Sequence, residues 1–165
     1  MWLKGVLIGR GHQVWLPQLP DANTPSTATF NAFILGNPDF VVDNDTVLIG
    51  HSSGAVAALN LLQHLPADIS IKAAVLVSAF QDDLGRDDLK RLFEEPLDFS
   101  VITSHCDSFT FIHSDDDPYC PVEHAEYLAK QTDGDLIMFE GQGHFNTDIG
   151  PQYKQFPELL DFIPE

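Results

Sequence analysis

Short apolar runs that end at turn-forming residues recur along the chain, and they predict the strands of a buried sheet. Several of the runs are apolar at every position rather than at alternate ones, which is typical of parallel strands covered on both faces. We therefore expect a mostly parallel sheet of about five strands. The predicted strands are Gln13–Leu16, Val47–Ile49, Ala73–Val77, Phe109–Ile112 and Leu136–Phe139.

Segments with apolar residues at helical spacing separate these strands. Thr24 before Pro25 is typical of a helix start, with an N-cap and a proline at the first helical position, and Gly36 would end that helix. Because strand and helix alternate, the pattern predicts an α/β fold in which helices cover the sheet to form three layers. The other predicted helices are Ser53–Leu65, Asp87–Phe93, Asp98–Ser104 and Pro121–Gln131.

Length and composition favour one globular domain over residues 1–165. A chain of 165 residues, 44% of them hydrophobic, can bury a core without disulfides or a structural metal. The sequence shows no apolar stretch of about 18 residues that would span a membrane, and no signal-peptide pattern at its start. Its two cysteines, Cys106 and Cys120, are no disulfide framework, so we expect a protein of the reducing cytoplasm.

The chain is strongly acidic, with 8 Lys and Arg residues against 25 Asp and Glu residues and a formal net charge of −17. Such a charge repels nucleic acid and anionic membrane surfaces, and neither is expected as a partner. It also disfavours anionic substrates unless Arg86 or a neighbouring cation lies near the binding site. The polar segment Gln81–Asp88 follows a predicted strand and is either a solvated loop or the border of a pocket. The sequence leaves the oligomeric state open.

One predicted strand runs directly into Gly50-His51-Ser52-Ser53-Gly54, and a predicted helix follows. This is the arrangement of a nucleophile elbow, in which a serine hydroxyl is held on a sharp strand-to-helix turn. Gly50 and Gly54 are expected where side chains would clash with the neighbouring strand and helix. The sequence thus identifies Ser52 as a candidate nucleophile and the N–H of Ser53 as a candidate oxyanion donor. His51 is interpreted as a structural support.

A serine nucleophile needs a histidine base and a carboxylate, which follow it along the chain in the order acid, then histidine, in enzymes with such an elbow. His144 comes after the last predicted strand, between glycines that allow a tight loop. The preceding strand ends before Asp115-Asp116-Asp117, and a tight loop can present any of these three carboxylates. Asp117 is preferred because Pro118 fixes the direction in which the chain leaves the loop.

A metal site built from His113, the three aspartates, Cys120 and His124 is an alternative for the same region, but these residues lack any familiar ligand spacing. We therefore expect neither a metal nor an organic cofactor. The candidate walls of a substrate pocket, which would equally suit the core, are Phe80, Tyr119 and Phe145.

These residues resemble the family of small serine hydrolases related to retinoblastoma-binding protein nine and the bacterial YdeN-like proteins. The resemblance implies an α/β-hydrolase fold and a triad of Ser52, Asp117 and His144. It covers nearly the whole chain. The motifs that carry it are Gly50–Ala55, Leu76–Phe80, Asp116–Pro121 and Gly143–Phe145, with Gly11–Val14 and Pro17–Pro20.

Members of that family begin with a strand and a loop that precede the helix matched here by Trp2–Arg10. The resemblance implies that this strand lies between the strands corresponding to Gln13–Leu16 and Thr46–Ile49, and that its loop donates a second N–H to the oxyanion hole. We therefore expect a chain truncated at its N-terminus relative to the family. The family register favours a helix over Trp2–Arg10, although Gly5–Gly9 would also suit a short strand.

The favoured function is a serine hydrolase of esterase or amidase type. It would act on a small carboxylic ester, thioester or amide through an acyl-enzyme, and this small-molecule substrate is the expected partner. The alternative is a non-catalytic relative that keeps the triad residues but serves as a binding or interaction module, because the first strand and the oxyanion loop are missing.

Overall fold

A four-stranded parallel sheet forms the centre of the computed structural model, which describes residues 2–148 and 150–164. The expected domain ends, Met1 and Glu165, lie outside the described residues. Neighbouring strands follow each other in chain order, and every pair is parallel. The strands are β1 (Val47–His51), β2 (Ala73–Val77), β3 (Phe109–Ser114) and β4 (Asp135–Phe139).

Helices connect the strands close to where the sequence predicts them. Asp98 caps one of them by accepting hydrogen bonds from the N–H groups of Ser100 and Val101. The α-helices are α1 (Trp2–Gly9), α2 (Thr27–Leu35), α3 (Ser53–Leu62), α4 (Phe99–Ser104) and α5 (Val122–Thr132), and short 3₁₀ helices span Asp87–Leu92, Pro151–Lys154 and Pro157–Phe162. None of the helices in the described part of the chain is long and apolar enough to cross a membrane.

The sheet is covered on both faces, which confirms the three predicted layers. All five residues of β2 are buried, and the pleat sends alternate side chains to opposite sides. Ala74 and Leu76 pack in the cluster formed with α3, α4 and α5. Val75 and Val77 pack with α1 and with the 3₁₀ helix Pro157–Phe162. The carboxyl ends of the strands therefore meet at one edge, between two layers of helices.

The strand predicted over Gln13–Leu16 is wrong. A parallel strand needs a hydrogen-bonded neighbour, and β1 is paired with β2 on one side while no strand of the described residues lies along its other edge. The segment packs instead through Trp15, whose ring stacks on Phe33 and Phe40 with centroids 5.9 and 5.6 Å apart.

The N-terminal helices show one confirmed and one shifted prediction. Trp2–Gly9 is a helix, as the family register implied, despite the two glycines within it. The second helix begins at Thr27 with Ser26 as its N-cap, rather than at Pro25. Its start moves because the N–H of Thr24 donates to the carbonyl of Asp21 at 2.8 Å, which makes Thr24 part of a turn.

Candidate active site

Ser52 occupies a sharp turn between β1 and α3. Its backbone has φ 55° and ψ −124°, a region that residues other than glycine rarely adopt. Its N–H donates to the carbonyl of Val77 at 2.9 Å, so β2 holds the turn from the side. Its own carbonyl accepts from the N–H of Ala55 at 2.9 Å as α3 begins. The turn places Ser52 at the carboxyl edge of the sheet.

The two glycines of this turn differ in the room they need. A Cβ on Gly50 would lie 2.5 Å from the carbonyl oxygen of Gly54 and 2.6 Å from the Cα of Ala55, and neither backbone atom can move aside. A Cβ on Gly54 would meet nothing within 4 Å apart from its chain neighbours and the backbone of its own helix. The expectation that both positions exclude a side chain holds for Gly50 and is wrong for Gly54, where the space is open.

Asp117 lies in the loop after β3 and accepts hydrogen bonds at both carboxylate oxygens. Oδ2 accepts from Nδ1–H of His144 at 2.8 Å and from the hydroxyl of Ser78 at 2.8 Å. Oδ1 accepts from the N–H groups of Tyr119 at 2.9 Å and Cys120 at 3.0 Å. The bond to Nδ1 leaves Nε2 of His144 free to accept a proton.

These donors keep Asp117 ionised inside the protein. Its side chain has no exposed area, and burial by itself raises the pKa of a carboxyl group. The hydrogen bonds from His144, from the two backbone N–H groups and from Ser78 outweigh burial and lower the pKa of Asp117 to about 2. A carboxylate is therefore present beside the imidazole at any pH near neutrality.

All three adjacent aspartates bond to the loop that follows β4, which carries His144. Two of them accept from backbone N–H groups just before the histidine, and the third bonds the imidazole. The main chain that carries the ring is thus fixed by the same loop that supplies the carboxylate. The bonds join Asp115 to Gly141 N–H at 2.8 Å, Asp116 to Gly143 N–H at 2.7 Å, and Asp117 to His144 Nδ1 at 2.8 Å.

Ser52, Ser53 and His144 line one cavity of about 420 Å³. Phe80 and Tyr119 line it too, and the Tyr119 ring meets the His144 ring edge-on with centroids 5.0 Å apart. Within residues 2–148 and 150–164 the Ser52 hydroxyl makes no hydrogen bond to the His144 ring. Catalytic hydrogen bonds of this kind are often long before substrate binds, so shared access to one cavity is the relevant observation.

Phe145, the third predicted pocket residue, lies in the core instead. The residue is 8% exposed and is not among those that line the cavity of His144. The ring packs on Phe139 and Phe156 with centroids 5.8 and 5.2 Å apart. We therefore assign Phe145 to the core and keep Phe80 and Tyr119 as candidate substrate contacts.

The polar segment after β2 borders the cavity. Leu84, Arg86 and Asp88 are among its lining residues. The guanidinium of Arg86 binds the Asp88 carboxylate through Nε at 3.1 Å and Nη2 at 2.6 Å, so the two charges compensate each other. The sequence allowed either a solvated loop or a pocket border for this segment, and the structure supports the pocket border.

The N–H of Ser53 is available beside the nucleophile. Ser53 is the first residue of α3, and the first N–H groups of a helix have no acceptor within that helix. They also carry the partial positive charge of the helix N-terminus. This N–H therefore suits a negatively charged oxygen that forms next to Ser52.

Asp117, Cys120 and His144 also meet the distance criterion for a metal site, since their ligand atoms lie within 4.8 Å of one another. The chemistry of the set does not fit a metal. Burial raises the pKa of the Cys120 thiol to about 12, so it stays protonated rather than becoming a thiolate ligand. The carboxylate and Nδ1 of the other two residues already bond to each other. This arrangement is that of an acid–base pair.

Sequence reasoning missed the roles of Ser78 and Ser114. Ser78 is fully buried, has φ 49° and donates to Asp117. Ser114 donates to Asp116 at 2.7 Å and accepts from the N–H of Gln142 at 2.8 Å. Each is a polar residue at the carboxyl end of a predicted strand, and this position was the available signal.

The chain is similar to known serine hydrolases in sequence and in fold. A family model described as serine hydrolase matches residues 39–164. Serine hydrolase RBBP9 of Rattus norvegicus is 30% identical over 162 residues, which are 97% of this chain and 81% of the relative. YdeN of Bacillus subtilis (strain 168) is 28% identical over 163 residues, 98% of this chain and 84% of the relative. The crystal structure of the ydeN gene product superimposes with a TM-score of 0.88 at 26% identity, covering 98% of this chain and 86% of that one.

Proposed function

The chain belongs to the serine hydrolase family, and from this premise we propose that it cleaves a small carboxylic ester, thioester or amide through an acyl-enzyme intermediate. The observation that carries the proposal is the His144–Asp117 hydrogen bond of 2.8 Å at a cavity that Ser52 also lines. Nucleophile, orienting carboxylate and base thus follow the ends of three different strands, β1, β3 and β4, and they occur along the chain in the order that such enzymes use.

In the first half of the reaction, the Ser52 hydroxyl attacks the carbonyl carbon of the substrate while Nε2 of His144 takes its proton. The carbonyl oxygen becomes an oxyanion, which the N–H of Ser53 stabilises. The imidazolium is stabilised by the Asp117 carboxylate. It then gives its proton to the leaving alcohol, thiol or amine as the bond from the carbonyl carbon to that group breaks.

In the second half, water replaces the leaving group. His144 takes a proton from this water as its oxygen attacks the acyl carbon, and the same oxyanion site is used again. The bond to Ser52 then breaks, Ser52 recovers its proton from His144, and a carboxylic acid leaves. Over the two halves the leaving group gains the proton that Ser52 gave, and Ser52 regains a proton from water through His144, so both residues return to their starting states without a cofactor.

The cavity supports a small substrate of low net charge. Its volume of about 420 Å³ lies at the lower end of the range for small-molecule sites. The Arg86–Asp88 ion pair at its border is compensated, while the chain as a whole carries a net charge of −17. A strongly anionic ester would be repelled on approach.

The test is intact-mass measurement after treatment with a fluorophosphonate, which phosphonylates an activated serine whatever the natural substrate. One adduct on the wild type, none on Ser52→Ala, and one on the remote, exposed control Ser104→Ala would support the proposal. A folded wild type that forms no adduct would overturn it. That result would favour the alternative, a non-catalytic module that keeps the residues of the triad.

A further inference from the structure

His51, which precedes the candidate nucleophile, contacts the candidate base. Its Nε2 lies 2.8 Å from the backbone carbonyl oxygen of His144, and the two ring centroids are 4.8 Å apart at 52°. A carbonyl oxygen only accepts, so Nε2 of His51 carries the hydrogen and donates it. The elbow and the base loop are therefore joined by a direct bond between their two histidines.

The residues on either side of His144 have positive φ angles, a conformation that surrounding contacts must stabilise. Gly143 has φ 56° and Phe145 has φ 48°, so left-handed residues flank the histidine on both sides. For a residue with a side chain, such as Phe145, this conformation is costly and persists where surrounding contacts enforce it. The N–H of Gly143 is held by Asp116, and the carbonyl of His144 is held by His51.

His51 is suited to donate throughout the neutral range. Desolvation by the protein atoms around its ring lowers its pKa, although part of the residue stays accessible to solvent. The bond to the His144 carbonyl and the charge of Asp117 oppose this shift, and the charge of a protonated His144 adds to it. The result is a lowered pKa and a neutral imidazole with its hydrogen on Nε2.

We propose that His51 is a positioning residue for His144, which it holds between Asp117 and Ser52 by donating Nε2–H to the His144 backbone carbonyl. The role rests on the proposed function, because it belongs to the same reaction. It differs from a role in folding alone, since the bond acts on the main chain of the residue that transfers the proton. A displacement of about 1 Å of a reacting group costs on the order of a hundredfold in rate.

The first experiment compares rates of fluorophosphonate labelling in four proteins: wild type, His51→Leu, His51→Gln and His105→Leu. Leucine removes the donor, and glutamine restores an N–H at the distance of Nε2. His105 is a matched control, because its Nδ1 lies 2.6 Å from the carbonyl oxygen of Ile69 at the amino end of the sheet, away from the cavity. Thermal unfolding of each variant measures any general loss of stability.

We expect labelling of His51→Leu to slow about ten- to hundredfold, His51→Gln to regain most of the rate, and His105→Leu to label as fast as wild type even if it melts earlier. The proposal is overturned if His51→Leu labels at the wild-type rate, or if His51→Gln is as slow as His51→Leu.

A second measurement does not depend on activity. Proton NMR of the Nδ1–H of His144, identified by its absence in His144→Ala, reports whether the bond to Asp117 keeps its geometry. We expect this signal in wild type and His51→Gln and its broadening or loss in His51→Leu, whereas identical signals in all three would overturn the positioning role. A wild type that does not label counts against the proposed function, and the NMR comparison then decides the role of His51 by itself.

Discussion

The loops after β3 and β4 and the N-terminal segment of residues 2–45 are built in opposite ways. In the two loops, four consecutive residues, 114–117, bond to residues 141–144 at 2.7–2.8 Å. In the N-terminal segment, large apolar side chains remain exposed, among them Val41 at 71% and Ile8 at 52%. A cavity of about 670 Å³, larger than the one at Ser52, lies there against Trp15, Phe33 and Phe40.

The difference shows which residues determine the conformation of each region. The two loops contain both partners of their hydrogen bonds within two short motifs, so those motifs determine the geometry together. Three adjacent carboxylates are tolerated because each accepts a backbone or ring N–H instead of facing the others unpaired. The N-terminal segment contains few such pairs, and its conformation depends on what packs beside it.

The substitution expected to have the largest effect on the two loops after β3 and β4 is Asp117→Asn. The amide can still accept from Tyr119 N–H, but it favours the wrong tautomer of His144 and no longer stabilises the imidazolium. We expect the rate of fluorophosphonate labelling to fall about 10⁴-fold, with the fold retained. The matched control is Asp115→Asn, whose Oδ1 can still accept from Gly141 N–H, and which we expect to label close to the wild-type rate. Equal losses in the two variants would show that the loop responds to charge alone.

The elbow allows the same kind of contrast at two glycines. Gly50→Ala places a methyl group 2.5 Å from a backbone oxygen, and we expect it to lower the free energy of unfolding by about 3 kcal/mol. Gly54→Ala meets open space within α3, where alanine is the better helix former, and we expect a gain of about 0.5 kcal/mol. Urea unfolding of both variants checks the pair, and a large loss at Gly54 would contradict the open space beside it.

The sequence predicts the strands and the two loops better than it predicts the N-terminal segment. The four strands of the sheet, the elbow at Ser52 and the loop of His144 were predicted because each is signalled locally, by an apolar run or by flanking glycines. The choice of Asp117 among three adjacent aspartates rested instead on Pro118 and on the family resemblance. Gln13–Leu16 has an equally apolar run, but a strand exists only when a neighbour pairs with it, and local pattern does not reveal the neighbour. Phe145 was left open between core and pocket wall for a related reason, because an aromatic residue suits both, and its burial in the structure favours the core.

Acid pH tests the contribution of ionised Asp117 to stability without a substitution in the wild-type protein. The pKa of Asp117 is about 2 in the folded protein against an ordinary 3.8, so its ionised form favours folding above pH 4, and this stabilisation is lost as the pH falls through about 2. The shift corresponds to about 2 kcal/mol. We therefore expect the difference in unfolding free energy between wild type and Asp117→Asn to shrink by this amount between pH 5 and pH 2 in urea titrations. A difference that does not change with pH would contradict the lowered pKa.

The smallest effect is expected from the N-terminal segment, at Trp15→Leu. The change removes two stacked aromatic contacts, with Phe33 and Phe40, and should lower the free energy of unfolding by about 1 kcal/mol. The surface control Val41→Thr should stay within about 0.5 kcal/mol of wild type. Because Trp15 does not line the cavity at Ser52, fluorophosphonate labelling should be unchanged in both variants. Slow labelling of a folded Trp15→Leu protein would mean that the N-terminal segment helps to position the site, and the separation between the two regions would then fail.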